Sequence, residues 1–302
     1  MHGFDYFFGF KSGYIDYYRH TDSDGVPDLY ENDKPVKVDG YMTDLITERS
    51  IRFIDDHAAA PFFLEVTYNA AHWPFQVPDQ ATVAVGNGRF LQPIDDSPPT
   101  RQDYVKMVER ADQGVGQILQ TLDRLGLASN TLVIFTNDNG GEWLSSNAPL
   151  FHRKDTLWEG GIRVPALVRW PGHIPPGRIS NQVGIFMDLT ASILAATNTR
   201  VPGDAKLEGM NLLPILAGQS PAVERTLFFR IAVAERQQRA VRQGEWKLLV
   251  DGDDILLFNL PRDIGERNDV AKEHPDVARR LELLLIDWQK DVDAEASVYL
   301  RR

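Results

Sequence analysis

Hydrophobic and polar positions follow three different rhythms along this chain, and each rhythm predicts a different kind of element. Over residues 41–57, Leu45, Ile46, Phe53 and Ile54 recur at helical spacing, with Thr43 placed to cap the start. Tyr104, Val108, Ala111, Val115, Ile118, Leu122 and Leu125 repeat every three or four residues and predict an amphipathic helix that Gly126 ends. Unbroken apolar runs predict buried strands instead: Pro61-Phe-Phe-Leu-Glu-Val-Thr-Tyr68, Thr131-Leu-Val-Ile-Phe-Thr136 and residues 164–170. A helix over 186–196 continues the alternation. Strands alternating with helices predict an α/β fold, a mostly parallel sheet flanked by helices.

The rhythm shortens after about Gly218. Runs at 226–232, 239–241, 247–250 and 255–259 are strand-like and are separated by Gln243-Gly-Glu and Asp251-Gly-Asp-Asp254 turns. Val277, Leu281, Leu284 and Trp288 then mark a closing amphipathic helix. The expected division is therefore 1–218, a large α/β portion, and 219–302, a small antiparallel sheet covered by one helix. The opening Met1-His-Gly-Phe-Asp-Tyr-Phe-Phe-Gly-Phe10 carries four phenylalanines and predicts a segment that packs against something upstream.

Composition narrows the function classes. A hydrophobic fraction of 43% with 25% charged residues is that of an ordinary globular chain. No run approaches the eighteen or so apolar residues of a membrane span, and Met1 is not followed by a signal-peptide pattern. A formal charge of -11 argues against nucleic acid as partner. The absence of cysteine excludes disulfides, thiolate metal sites and thiol catalysis by these 302 residues.

The chemistry concentrates where apolar runs end. Thr131-Leu-Val-Ile-Phe-Thr-Asn-Asp-Asn-Gly-Gly-Glu142 breaks from a strand into Asp138 and Asn139, hard oxygen donors suited to Ca2+ or Mg2+. The same string also reads as a strand followed by a turn in which Asp and Asn bond their own backbone. Lys154 and the glycine-rich Glu159-Gly-Gly-Ile-Arg-Val-Pro165 follow. A lysine beside a divalent ion is what a tetrahedral oxyanion requires. His72, in Asn69-Ala-Ala-His-Trp-Pro74, also sits just past a predicted strand, where an imidazole serves either as a general acid or as an ordinary loop histidine. Asp22-Ser-Asp-Gly-Val-Pro-Asp28 resembles a calcium loop, but its glycine falls fourth rather than sixth, so a surface turn is expected.

These strings together resemble the sulfatase family of the arylsulfatase and carbohydrate-sulfatase type, within the alkaline-phosphatase-like group. His2-Gly-Phe-Asp-Tyr-Phe-Phe-Gly9, Asp28-Leu-Tyr-Glu-Asn32, Gly40-Tyr-Met-Thr-Asp44, Pro61-Phe-Phe-Leu64, Val241-Arg-Gln-Gly-Glu-Trp-Lys-Leu248 and Phe258-Asn-Leu through Glu266-Arg-Asn268 match further family landmarks, although Ile264 stands where proline is usual. The resemblance implies that Asp138 and Asn139 are calcium ligands, Mg2+ being the other cation they suit. It also implies that Lys154 contacts the sulfate and that His72 contacts the ester oxygen and acts as general acid. The family nucleophile is a formylglycine made from cysteine in Cys-x-Pro-x-Arg, preceded by paired aspartates, and none of these maps onto this chain. Ser97-Pro-Pro-Thr-Arg101 has the Ser-x-Pro-x-Arg form but lies after His72 and opens a helix, so it is read as coincidence.

The expected function is therefore hydrolysis of an aryl or glycan sulfate ester by an N-terminally truncated sulfatase. The chain itself is expected to be inactive, with the missing N-terminal segment as a partner. A periplasmic or secreted location follows if a signal was lost with that segment, and a cytoplasmic one if Met1 is the start. A non-catalytic module that binds sulfated ligands or pairs with an intact sulfatase is the second reading. A related phosphatase or phosphonate hydrolase is the third, weakened because the seven histidines form no ligand cluster.

Overall fold

The computed structural model describes residues 3–80, 82–85, 90–93, 98–233 and 236–299; His2 and Ser97, quoted above, lie outside the described residues. The chain divides into two compact units, Met1–Thr131 and Leu132–Arg302. Among the described residues no helix is long and apolar enough to cross a membrane.

In the first unit, β1 (Phe8–Gly9), β2 (Tyr30–Glu31) and β3 (Lys34–Pro35) form a small antiparallel sheet. Helix α1 (Met42–His57) begins after Tyr41. Thr43, expected as its cap, is instead buried in the first turn, and Tyr41 makes no side-chain cap. A hairpin of β4 (Thr82–Val85) and β5 (Phe90–Pro93) precedes α2 (Arg101–Arg124). Thr100 caps α2 by accepting from the Asp103 N–H, while the Asp103 carboxylate accepts from the Thr100 N–H. Residues 98–101 thus form a helix entrance.

The buried stripe of α2 differs from the expected one. Met107, Gly114, Thr121 and Leu122 are buried, whereas Val108 is exposed and Tyr104, Ala111, Val115 and Ile118 are only half-buried. The cause is the packing of α1 on α2 at Gly114, where the Thr47 and Tyr68 hydroxyls, hydrogen-bonded at 2.7 Å, press against the glycine. A Cβ there would lie 2.4 Å from Thr47 Oγ1. Small size at one position, rather than apolar periodicity, chooses the contact face.

The second unit contains β6 (Val133–Thr136), the single-turn α3 (Glu159–Ile162), β7 (Ala166–Arg169), α4 (Phe186–Ala196) and α5 (Leu213–Leu216). Next come β8 (Thr226–Val233), β9 (Arg236–Gln243), β10 (Trp246–Asp251), β11 (Asp254–Asn259) and α6 (Pro275–Tyr299). The last four strands form an antiparallel sheet in the order β11-β10-β9-β8, as the turns at Gly244 and Gly252 direct. On one face Leu248, Val250, Val241 and Leu257 meet Leu281 and Leu285 of α6, and Trp288 stacks on Phe228 at 5.2 Å. On the other face Leu249, Ala240 and Phe258 meet Leu157 and Trp158, which precede α3.

The mostly parallel sheet is not seen among the described residues. Strand β6 pairs with β7 antiparallel, Thr136 opposite Ala166 and Val133 opposite Arg169. A parallel pair needs a crossover that returns the chain to the starting end, usually through a helix; the connection here holds only the one turn of α3 and reverses direction instead. Residues 61–68 alternate between exposed and half-buried as an extended chain does, but they belong to no ladder. An extended segment becomes a strand only when a partner takes its N–H and C=O groups.

Candidate functional site

Strand β6 ends at Thr136, and two residues later the chain presents Asp138, exposed, and Asn139, half-buried. The Asn139 amide nitrogen donates to Asp138 Oδ2, so the amide oxygen is not the atom engaged by the carboxylate. What holds the pair in place is close backbone contact. Gly140 N–H donates to the Gly161 carbonyl at 2.8 Å, and Gly160 N–H donates to that of Phe151, also at 2.8 Å. A Cβ on Gly140 would lie 1.8 Å from the Gly160 carbonyl oxygen, and one on Gly160 would lie 2.2 Å from that of Phe151. The two glycine strings seen in the sequence are therefore the two halves of one contact.

Lys154 joins the same scaffold. Its N–H donates to the Gly141 carbonyl at 3.2 Å, and its side chain is half-buried. Asn147 closes the intervening loop: Oδ1 accepts from Gly141 N–H at 2.9 Å, and Nδ2 donates to the carbonyls of Gly141 and His152. His152 and Asp155, on either side of Lys154, adopt φ of 64° and 65°, a region that L side chains enter at a cost.

Behind the glycine turn lies a buried ionic network that sequence reasoning missed. Glu159, the first residue of α3, donates its N–H to Glu266 Oε2 at 2.6 Å. Lys247, 1% exposed as the second residue of β10, lies 3.0 Å from Glu159 Oε1 and 2.8 Å from Glu266 Oε1. Arg163 and Arg242 approach Glu159 Oε2 at 3.4 and 3.8 Å. Burial pushes the Glu159 carboxyl up, but Lys247 and the two arginines outweigh it and hold it below the ordinary glutamate range. Burial holds the Glu266 carboxyl up, against the opposing pull of Lys247. Three family landmarks, the Glu-Gly-Gly string, the Trp-Lys-Leu strand and the Glu-Arg-Asn turn, thus meet at one charge cluster. Its signal in the sequence is a lysine inside the apolar run Trp246-Lys-Leu-Leu-Val250.

His72 belongs to the first unit. Tyr17, fully buried, donates its hydroxyl to the carbonyls of Asn69 and His72 at 2.8 and 3.0 Å, which fixes the turn carrying the imidazole. The Tyr14 ring stacks on the imidazole with centroids 5.7 Å apart. His72 Nδ1 lies 2.7 Å from the Trp73 carbonyl, which can only accept, so Nδ1 carries a proton and Nε2 is the nitrogen left for proton exchange.

Asp138 and Asn139 fit a hard cation in donor type but not in number. Calcium takes about six to eight oxygens, and among the described residues no group of three or more His, Cys, Asp or Glu side chains could hold a metal. Residues 22–26 form a turn at the surface, as expected, with Asp22 Oδ1 accepting from Asp24 and Val26 N–H at 2.9 Å, whereas Asp28 is buried and accepts from the Lys11 and Ser12 N–H groups.

The sulfatase family profile matches residues 1–199, and that of the N-sulphoglucosamine sulphohydrolase C-terminal region matches 149–291. The chain belongs to the sulfatase family. It is 29% identical to N-acetylgalactosamine-6-sulfatase of Mus musculus over 96% of this chain and 63% of that protein. Against the uncharacterized sulfatase YdeN of Escherichia coli strain K12 the identity is 32% over 71% of this chain and 37% of that one. The crystal structure of Ps i-CgsB superposes with a TM-score of 0.83 at 27% identity, over 95% of this chain and 66% of that one, and that protein has also been solved with k-i-k-neocarrahexaose. A phosphonate monoester hydrolase from Silicibacter pomeroyi shares the fold, with a TM-score of 0.61 at 18% identity over 94% of this chain and 66% of that one. The chain therefore spans a little under two thirds of the length of N-acetylgalactosamine-6-sulfatase.

Proposed function

We propose that this chain is the sulfate-binding portion of a sulfuric ester hydrolase acting on carbohydrate sulfates, with residues 1–218 as catalytic portion and 219–302 as the subdomain that braces it. The observation that carries this reading is the shared scaffold of Asp138, Asn139 and Lys154, built from Gly140, Gly141, Gly160 and Gly161. Asp138 and Asn139 supply two oxygen ligands to a calcium ion, and a segment outside these 302 residues supplies the rest. A calcium ion held there would supply Lewis-acid polarisation of a sulfate oxygen. Lys154 places its ammonium against the sulfate, and His72 Nε2–H protonates the departing alcohol oxygen.

The nucleophile is not among these residues. In the family it derives from a cysteine, and the chain has none. The chain as it stands is therefore expected to release no sulfate from an N-acetylgalactosamine-6-sulfate disaccharide or an aryl sulfate in calcium buffer. Turnover is expected once a polypeptide carrying paired aspartates and Cys-x-Pro-x-Arg is supplied and matured. Sulfate release by the 302 residues alone, abolished by chelator, contradicts this. The lack of cysteine favours one second reading, a non-catalytic module that retains sulfated ligands; it predicts binding that survives while no complement restores turnover.

A further inference from the structure

The loop between Gly141 and His152 offers a feature that the sulfate chemistry does not use. Its base is over-determined: Asn147 bonds both backbone groups of Gly141 and the His152 carbonyl, Lys154 N–H adds a second bond to Gly141, and Ser145 N–H donates to the Glu142 carbonyl at 2.9 Å. On this rigid base Trp143 stands 55% exposed. It is two residues from Gly141, hence within about 7 Å of chain from the carbonyl that holds Lys154. Exposed apolar side chains are ordinary on mobile surfaces. A large indole on an immobilised loop is different, because most of the ordering cost of binding against it has already been met by folding. His152 returns the loop to the same place with a positive φ, and its exposed imidazole packs edge-on to Phe151 at 5.6 Å.

We propose that Trp143 is a specificity-determining platform on which the C–H face of a pyranose ring stacks, with His152 contacting a ring hydroxyl, while the sulfate on that sugar reaches Lys154. The site thereby selects a sulfated oligosaccharide over a small aryl sulfate. This rests on the reading of Lys154 as the sulfate contact, and the test separates the two.

The 302-residue chain is titrated calorimetrically, in calcium buffer, with a sulfated galactose-based hexasaccharide, its desulfated form and 4-nitrophenyl sulfate. Trp143→Ala is expected to weaken the sulfated hexasaccharide about tenfold, Trp143→Phe much less, and neither is expected to change binding of the aryl sulfate. Lys154→Ala is expected to weaken both sulfated probes. If Lys154→Ala does so and Trp143→Ala leaves the hexasaccharide unchanged, the platform is wrong and the sulfate reading stands. If sulfated and desulfated hexasaccharides bind alike, with loss only in Trp143→Ala, the platform stands and the sulfate reading falls. Wild-type protein that binds none of the probes, with its circular dichroism intact, overturns both.

Discussion

Two sheets in the same unit are built on opposite terms. In the C-terminal meander, Leu248, Leu249 and Leu257 are wholly buried, between α6 on one side and the Leu157–Trp158 corner on the other. In the β6–β7 ladder, Phe135 is 40% and Leu167 60% exposed, although both strings look equally apolar in sequence. The first sheet is stabilised by its own core. The second, which delivers Asp138 and Asn139, is held by glycine contacts and by charges anchored in the first. The turn beside Asp138 and Asn139 is thus tied to the C-terminal sheet through Lys247, Glu159 and Glu266.

The sharpest way to break that connection is Lys247→Met. It takes the lysine from Glu266 and leaves Glu159 with only the longer contacts to Arg163 and Arg242, and it is expected to cost about 3–5 kcal/mol in urea unfolding followed by circular dichroism. A loss below about 1 kcal/mol would mean that the network is ornamental to stability. The contrast between sheets is sharpened by paired truncations: Leu249→Ala is expected to cost about 2–5 kcal/mol, and Leu167→Ala within about 0.5 kcal/mol. Equal effects would show that the β6–β7 face is buried in solution.

Glu159→Gln tests the network through pH. The folded chain binds the Glu159 proton less readily than the unfolded chain, so the stability from its ionised form is present above the unfolded value of 4.5 and is lost as pH falls through the lower folded value. Glu266, shifted the other way, contributes at low pH and loses that contribution as pH rises through its raised value. The variant is therefore expected to be less stable than wild type by about 1–3 kcal/mol at pH 7. The gap closes below the unfolded value, as read by denaturation at a series of pH values. A gap that widens on acidification contradicts the assignment. A smaller effect than those in the network is expected in the first unit: Thr100→Ala removes a capping box and should cost about 1 kcal/mol of thermal stability, and Tm unchanged within error would remove α2 from the account.

How much of this was legible beforehand follows the same division. Helix α4 falls on residues 186–196 as periodicity predicted, and the four terminal strands fall where short runs and turn residues placed them, because their partners are close in sequence. Asp138, Asn139 and Lys154 were legible because strand end, glycine break and lysine are local signals, and the structure does bring them onto one scaffold. The β6–β7 pairing was misread because apolar runs do not encode a partner's direction. The α2 stripe was misread because Gly114, invisible to hydrophobicity, sets the contact. Lys247 and Glu266 were overlooked since a charge in a core makes sense only once its counter-charge, distant in sequence, is known. Asn147 was passed over for a simpler reason: one amide bonding three backbone groups looks like any loop asparagine.

The most direct test of the central claim is anomalous diffraction from crystals of this protein grown with calcium together with the complementing polypeptide that carries the paired aspartates. The account predicts a cation peak at the end of β6, about 2.3–2.6 Å from oxygens of Asp138 and Asn139, lost in Asp138→Ala. A calcium peak on the Asp22–Asp28 turn, with none beside Asp138, would contradict it.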